Sequence, residues 1–326
     1  MKPVDFTISE SDLHSALAEI DSELRASGTK LWGRELRAWQ HFCRKFHLEM
    51  AATDPLADRI FDWFTKQYGD RLIGNLDFGS TVAEIRHDLY SIRFPRLFGT
   101  EIVHCDPLLS AFDFGPRMTR DRLLKTNLFD HLAGATPAFI KSLTVEECTS
   151  LVNIYARGFV GLSRMDDAKQ APLAREALDD LHQSASQLTA TSPNYGFSRW
   201  ASLQAAEKLL KSFITLKQQM PRKTHNLVDL AATAVSLGLP APSSSLLRDI
   251  QCDAEVRYSA SSVGKQEALQ AHYAALSLAS EIAPLLSPQS GWVTEIRILT
   301  YTVNDSPRPF RALRVSRLKA AKAVGA

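Results

Sequence analysis

No run of the 326 residues approaches the ~20 consecutive apolar side chains that span a bilayer, so no membrane helix is expected. The opening stretch, MKPVDFTISESDLHSALAEIDSEL, carries early acidic residues and no apolar core, which excludes a signal peptide and points to the cytoplasm. Cysteine is scarce: Cys43, Cys105, Cys148 and Cys252 lie far apart with no CxxC pair, which argues against a disulfide framework or a zinc knuckle. Glycine-rich phosphate loops are missing, in both the GxGxxG and the GxxxxGK[ST] form, as are the GxSxG elbow and HExxH. No cofactor and no metal is therefore expected. Strong net charge is missing too, at +2 overall, which argues against a globally basic nucleic-acid binder.

The charge that is present is uneven. Residues 1–165 carry 20 basic and 22 acidic side chains, residues 166–290 carry 11 and 12, and residues 291–326 carry 7 and 2. The excess sits in a tail whose Arg311, Arg314, Arg317, Lys319 and Lys322 suit phosphate contacts. Hydrophobic content of 45% against 23% charged residues is that of a folded protein of about two domains.

Apolar spacing predicts helices over 9–28, 31–50 and 55–68, then two to four short strands over 71–104 where glycines 74, 79 and 99 punctuate the chain. Helices follow at 119–132 and 144–160, the second opened by Thr144 with Glu147 in a capping box. DDAKQAP at 166–172 reads as a linker. Beyond it, five helices are expected at 173–190, 196–218, 224–237, 243–257 and 264–284, with short separators that imply an antiparallel bundle. After Pro288 the pattern turns to strand over 292–303, with a second extended run at 309–315. The expected class is mainly α with a minor β part: an N-terminal α+β domain (1–165), a five-helix bundle (173–288) and a β-rich, basic extension (289–326).

Residues 198–230 carry Gln204, Ala206, Glu207, Lys208, Leu210 and Lys211 in a Q-x-A-E-K-x-L-K pattern, followed by Thr224, His225 and Leu227 as T-H-x-L. Arg257 and Tyr258 then form an R-Y step. In this order the motifs resemble the HEPN family, a helical nucleotide-binding domain, over about 110 residues. The resemblance implies a five-helix bundle, binding of nucleotide or RNA, and a homodimer formed through the helices. Many members are metal-independent ribonucleases with Arg, four to six residues, then His. Here Arg222 and His225 stand too close and Arg257 is followed by no histidine until His272. Arg34-ELRAWQ-His41 fits the spacing but lies outside the resemblance. A non-catalytic binding module is thus expected, with His225 and Arg257 the residues to watch for chemistry. The alternatives are a ribonuclease effector of a toxin or anti-phage defence system, and a protein-interaction scaffold.

The motif also reads physically. Ala205 and Ala206 permit close helix approach, and Gln204, Lys208 and Lys211 share one helical face. Glu207 can hold Lys211 across one turn. Thr224 reads as an N-cap with His225 in the first turn, where free N–H groups suit a phosphate. Lys208, Lys211, Arg222, Lys223, Thr224, His225, Arg257 and Tyr258 are the ligand-site candidates. His87-Asp88 and His104-x-Asp106, with Asp77 and Asp113 nearby, form no defined metal motif and read as turn and strand-end residues. RHDLYSIRFPR, with Arg86, Arg93, Arg96, Tyr90 and Phe94, reads as ordinary strand alternation before it reads as a base-stacking surface.

Overall fold

The computed structural model describes residues 8–48, 55–72, 77–95, 99–108, 123–258, 263–287 and 294–300. The chain divides into two compact units, Met1–Leu76 and Asp77–Ala326. Among the described residues no helix is long and apolar enough to cross a membrane.

The first unit is helical: α1 (Glu10–Ala26), α2 (Arg34–Lys45) and α3 (Pro55–Tyr68). Ser9 caps α1, its hydroxyl accepting from the Asp12 amide at 3.1 Å. Leu13, Leu17, Ile20 and Leu24 recur at helical spacing and pack with Trp39, Phe42, Ile60 and Phe64 in one buried core. Arg34 of the Arg34–His41 match donates to the Thr29 carbonyl at 2.9 Å and pairs with the buried Asp21. It is thereby committed to bracing the turn that enters α2.

The second unit opens with a hairpin, β1 (Asp77–Ile85) and β2 (Asp88–Pro95), paired antiparallel with Val82 opposite Ser91. Arg86 and His87 form its two-residue turn at φ 52° and 73°, the left-handed pair that matches strand twist. Ile92 and Phe94 are buried and Arg93 is exposed, as strand alternation requires. A three-stranded parallel sheet places β3 (Gly99–Cys105) between β4 (Leu123–Asn127) and β5 (Thr294–Thr300). The helices are α4 (Pro137–Lys141), α5 (Val145–Ala168), α6 (Ala174–Leu188), α7 (Tyr195–Leu216), α8 (Leu227–Ser236), α9 (Ser244–Ile250) and α10 (Lys265–Leu286).

One core runs through the second unit. Phe78, Ile92 and Phe94 of the hairpin share it with Tyr155 and Leu162 of α5, Leu203 and Leu210 of α7, and Leu276 of α10. Three expectations change as a result. The hairpin belongs with the bundle, so the boundary falls at Leu76 and not at 166–172. DDAKQAP is no linker between units: α5 runs to Ala168, and Ala168 and Ala174 are fully buried. The helix expected over 119–132 is, within the described residues, strand β4 and a 3₁₀ turn at Leu128–His131. Leu123, Leu124 and Leu128 fit a helical period, but pairing with β3 decides the backbone. The bundle itself appears where expected, and β5 lies within the predicted strand. The extended run at 309–315 and the tail residues Arg311, Arg314, Arg317, Lys319 and Lys322 lie outside the described residues, as do Arg96 and Asp113.

Glycines set how closely α5 approaches its neighbours. A Cβ on Gly161 would stand 2.7 Å from the Leu276 carbonyl oxygen of α10, a backbone atom that cannot swing aside. Gly161→Ala should therefore destabilise the second unit by about 1–3 kcal/mol through overpacking. Urea unfolding followed on α10 amides by hydrogen exchange would read the shift.

Candidate functional site

The motif residues converge on Glu207, in the middle of α7. Its side chain is 7% exposed and holds three partners. Lys211 Nζ lies 2.5 Å from Oε1, one turn along the same helix. His225 donates Nδ1–H to Oε2 at 2.7 Å, and Gln204 donates to Oε2 at 3.2 Å. Lys208 turns the other way, to Asp180 of α6 at 2.5 Å. Burial pushes the Asp180 carboxyl above its ordinary range while the Lys208 ammonium pulls it back. Both lysines of the motif are thus neutralised by carboxylates. The shared face that the spacing implied divides between an intrahelical pair and a bridge from α7 to α6.

The start of α8 differs from expectation. Asn226, not Thr224, is the N-cap: its carboxamide oxygen accepts from the amides of Val228 at 2.9 Å and Asp229 at 3.2 Å. The Leu227 amide donates to Gln251 Oε1 at 2.9 Å. The amides of the first turn are therefore spent, and Asp229 adds a negative charge there. Thr224 Oγ1 accepts the Asn226 amide at 3.0 Å, in a local turn that precedes the helix. His225 lies outside the helix rather than at its first position. Two cap-forming residues, Thr224 and Asn226, made the choice ambiguous in sequence; Asn226 wins because its side chain reaches two amides at once.

A second grouping forms around Trp200. The His225 ring meets it edge to face at 5.4 Å between centroids. The Arg257 guanidinium lies over the same indole at 5.2 Å and over Tyr258 at 4.4 Å. α9 ends at Ile250, short of the expected 257, and Arg257 sits in a separate 3₁₀ turn, Ala254–Arg257, where its guanidinium stacks on rings. Tyr258 is 77% exposed and Trp200 is 8% exposed. Arg222 and Lys223, three and two residues before His225, are exposed. Arg199, beside Trp200 in the chain, is held by Glu267 and by the Gln251 carbonyl at 3.0 Å. Gln251 also donates to the His225 carbonyl at 3.3 Å, so one side chain ties the α9 end to the entry of α8. Trp200 and Gln251 carry no motif of their own; only their convergence in space marks them.

Among the described residues no group of three His, Cys, Asp or Glu side chains is placed to hold a metal. His87 sits in the hairpin turn with its carbonyl accepting Lys265, and the Asp106 carboxylate accepts the Leu108 amide. Arg86 reaches from the same turn to Glu147 of α5 at 2.8 Å.

A buried polar chain between hairpin and bundle leaves no pattern in the sequence. His272 of α10, fully buried, contacts Thr81 of β1 through Nε2 and Ser184 of α6 through Nδ1, both at 3.2 Å. Ser184 continues to Ser198 and Ser202 of α7 at 3.1 and 2.8 Å. Ser198 and Ser202 spend their protons on carbonyls. The Ser184 hydroxyl then donates onward to Ser202 and accepts from His272 Nδ1–H, leaving Nε2 to accept from Thr81. The chain fits a neutral imidazole, and burial pushes the His272 pKa down to about 3.

No curated protein and no solved structure matches the chain. Residues 172–281, from just before α6 into α10, match the HEPN domain family, the one their motifs resemble.

Proposed function

We propose that the HEPN segment is a non-catalytic nucleotide- or RNA-binding module, in a protein that pairs with a second copy through its helices. The observation that carries this reading is the stack of Arg257 on Tyr258 beside Trp200 and His225. Tyr258 exposes a ring on which a base can stack, and Arg257 stiffens it and supplies a cation. His225, Arg222 and Lys223 flank the stack as phosphate contacts. Lys208 and Lys211 serve mainly to hold the helices, since each already has its carboxylate. The basic tail, with Arg311 to Lys322, adds salt-sensitive contacts to longer RNA.

Tyr258→Ala should weaken binding of a short single-stranded RNA by about 1–3 kcal/mol, the usual worth of one stacked base. Arg257→Ala should weaken it comparably, while Lys208→Ala changes it little. Fluorescence anisotropy on the purified chain, with sizing by light scattering, reads both affinity and pairing. Equal affinity in wild type and the Tyr258→Ala, Arg257→Ala double variant removes the stack from the site, and no binding at all favours a scaffold.

One observation favours a second reading, a ribonuclease effector. Glu207 fixes His225 through Nδ1, and the imidazole is 59% exposed, so Nε2 is placed as a base toward solvent, with Arg257 on the same indole. Under the binding reading, labelled RNA stays intact with the purified chain. Cleavage that disappears in His225→Ala and survives His41→Ala would establish the catalytic one.

A further inference from the structure

We propose that Cys105 and Cys148 are a redox pair, oxidised to an intramolecular disulfide by hydroperoxides. Cys105 is the last residue of β3 and is 1% exposed. Cys148 lies in the first turn of α5 and is half-buried against the main core. The Cys105 thiol donates to the Cys148 carbonyl oxygen at 3.9 Å, which sets its sulfur against the residue that carries the second thiol. They are 43 residues apart in sequence, and the fold brings the end of β3 to the first turn of α5.

The two sulfurs have different characters. Interaction with the Cys105 thiol draws the Cys148 thiol below its ordinary range, against burial and against the nearby carboxylates of Glu147 and Asp106. The same contact pushes the Cys105 thiol well up, and burial adds to it. Cys148 is the more accessible sulfur, so a hydroperoxide reaches it first. Cys105 is the resolving partner, adjacent and shielded.

The chemistry balances in two steps. The Cys148 thiolate attacks the terminal oxygen of a hydroperoxide; the S–O bond forms, the O–O bond breaks, and the leaving alkoxide takes a proton to depart as the alcohol (water, for hydrogen peroxide). Cys105 Sγ then attacks Cys148 Sγ of the sulfenic acid. The S–S bond forms, the S–O bond breaks, and the departing hydroxide takes the Cys105 proton and leaves as water. The pair gives up two electrons and two protons, and the hydroperoxide is reduced. The bond fastens the central strand of the parallel sheet, paired on both sides by β4 and β5, to the longest helix of the unit. It is independent of the nucleotide reading.

The full chain is exposed to hydrogen peroxide, quenched in acid, unfolded in urea with N-ethylmaleimide, digested without reductant and analysed by mass spectrometry. The expected product is a peptide linking Cys105 to Cys148 within one monomer, absent before treatment and reversed by dithiothreitol. Cys148→Ser should abolish the link and leave Cys105 alkylated as in the untreated chain. Cys105→Ser should leave a sulfenic acid on Cys148 that dimedone traps. Cys43, in the other unit, and Cys252, pushed up to about 11 by burial, are internal references that should stay alkylatable. The proposal is overturned if both thiols remain alkylatable after peroxide, if Cys148 passes to the sulfinic acid while Cys105 stays alkylatable, or if the link joins Cys43 or Cys252 instead.

Discussion

Glu207→Ala is expected to cost the second unit about 3–5 kcal/mol, the usual result of removing one partner from a buried ion pair. Lys211, 16% exposed, would be left facing a cavity with its ammonium unpaired. His225 would lose the carboxylate that fixes Nδ1, and Gln204 its acceptor. Lys211→Ala should cost less, because Glu207 keeps its hydrogen bonds from His225 and Gln204. Glu207→Leu combined with Lys211→Met should recover much of the stability, since apolar replacement of a whole buried pair is often neutral. The three variants therefore separate two roles. If the double variant folds well yet loses RNA affinity, the carboxylate matters for orienting His225. If it folds and binds like wild type, the motif is a packing device. Urea unfolding read on α7 amides gives the stability, and anisotropy gives the affinity.

What the sequence made legible follows from the range over which each feature is decided. α1, α3 and α10 carry their own caps, apolar stripes or breakers within a few residues, so their bounds come out nearly unchanged. The Glu207–Lys211 pair is four residues apart and follows from helical geometry alone. β4 is decided by a strand about 20 residues away, and its Leu-rich sequence fits a helix equally well until β3 is present. The division of the chain is likewise non-local: Thr81 and Phe94 have nothing in their spacing that ties them to α10 and α5. At the candidate site, Arg257 and Tyr258 were legible as motif residues, but Trp200 between them and His225 was not, because it contributes a ring rather than a charge. The serine–histidine chain joins residues 81, 184, 198, 202 and 272, and small polar residues on helices leave no pattern in sequence.

That same chain makes the second unit acid-sensitive. His272 is pushed down to about 3 by burial, with His182 beside it adding to the shift, and His131 is pushed down to about 4 by burial and by Arg93. Both are neutral in the folded chain at pH 5, whereas unfolded histidines take up a proton below about 6.5. The unfolded state then binds more protons, so stability rises with pH across this window. It is fully present above pH 6.5 and is lost as pH falls toward 4 for His131 and 3 for His272. Lowering pH from 7 to 5 should cost about 2 kcal/mol per histidine, or about 4 kcal/mol together. Asp77, Asp130 and Asp180, pushed up by burial, bind protons earlier in the folded chain and offset part of the loss. The test therefore compares variants rather than the wild-type slope. His272→Gln keeps a donor and an acceptor between Thr81 and Ser184 but cannot titrate. Whatever its stability at pH 7, its further loss on going to pH 5 should be smaller than wild type's by about 2 kcal/mol. Urea midpoints at pH 7, 6 and 5, followed by hydrogen exchange on α10, measure this difference. An unchanged loss would mean that His272 already carries its proton in the folded chain, and the neutral Thr81–His272–Ser184 chain would then be the wrong assignment.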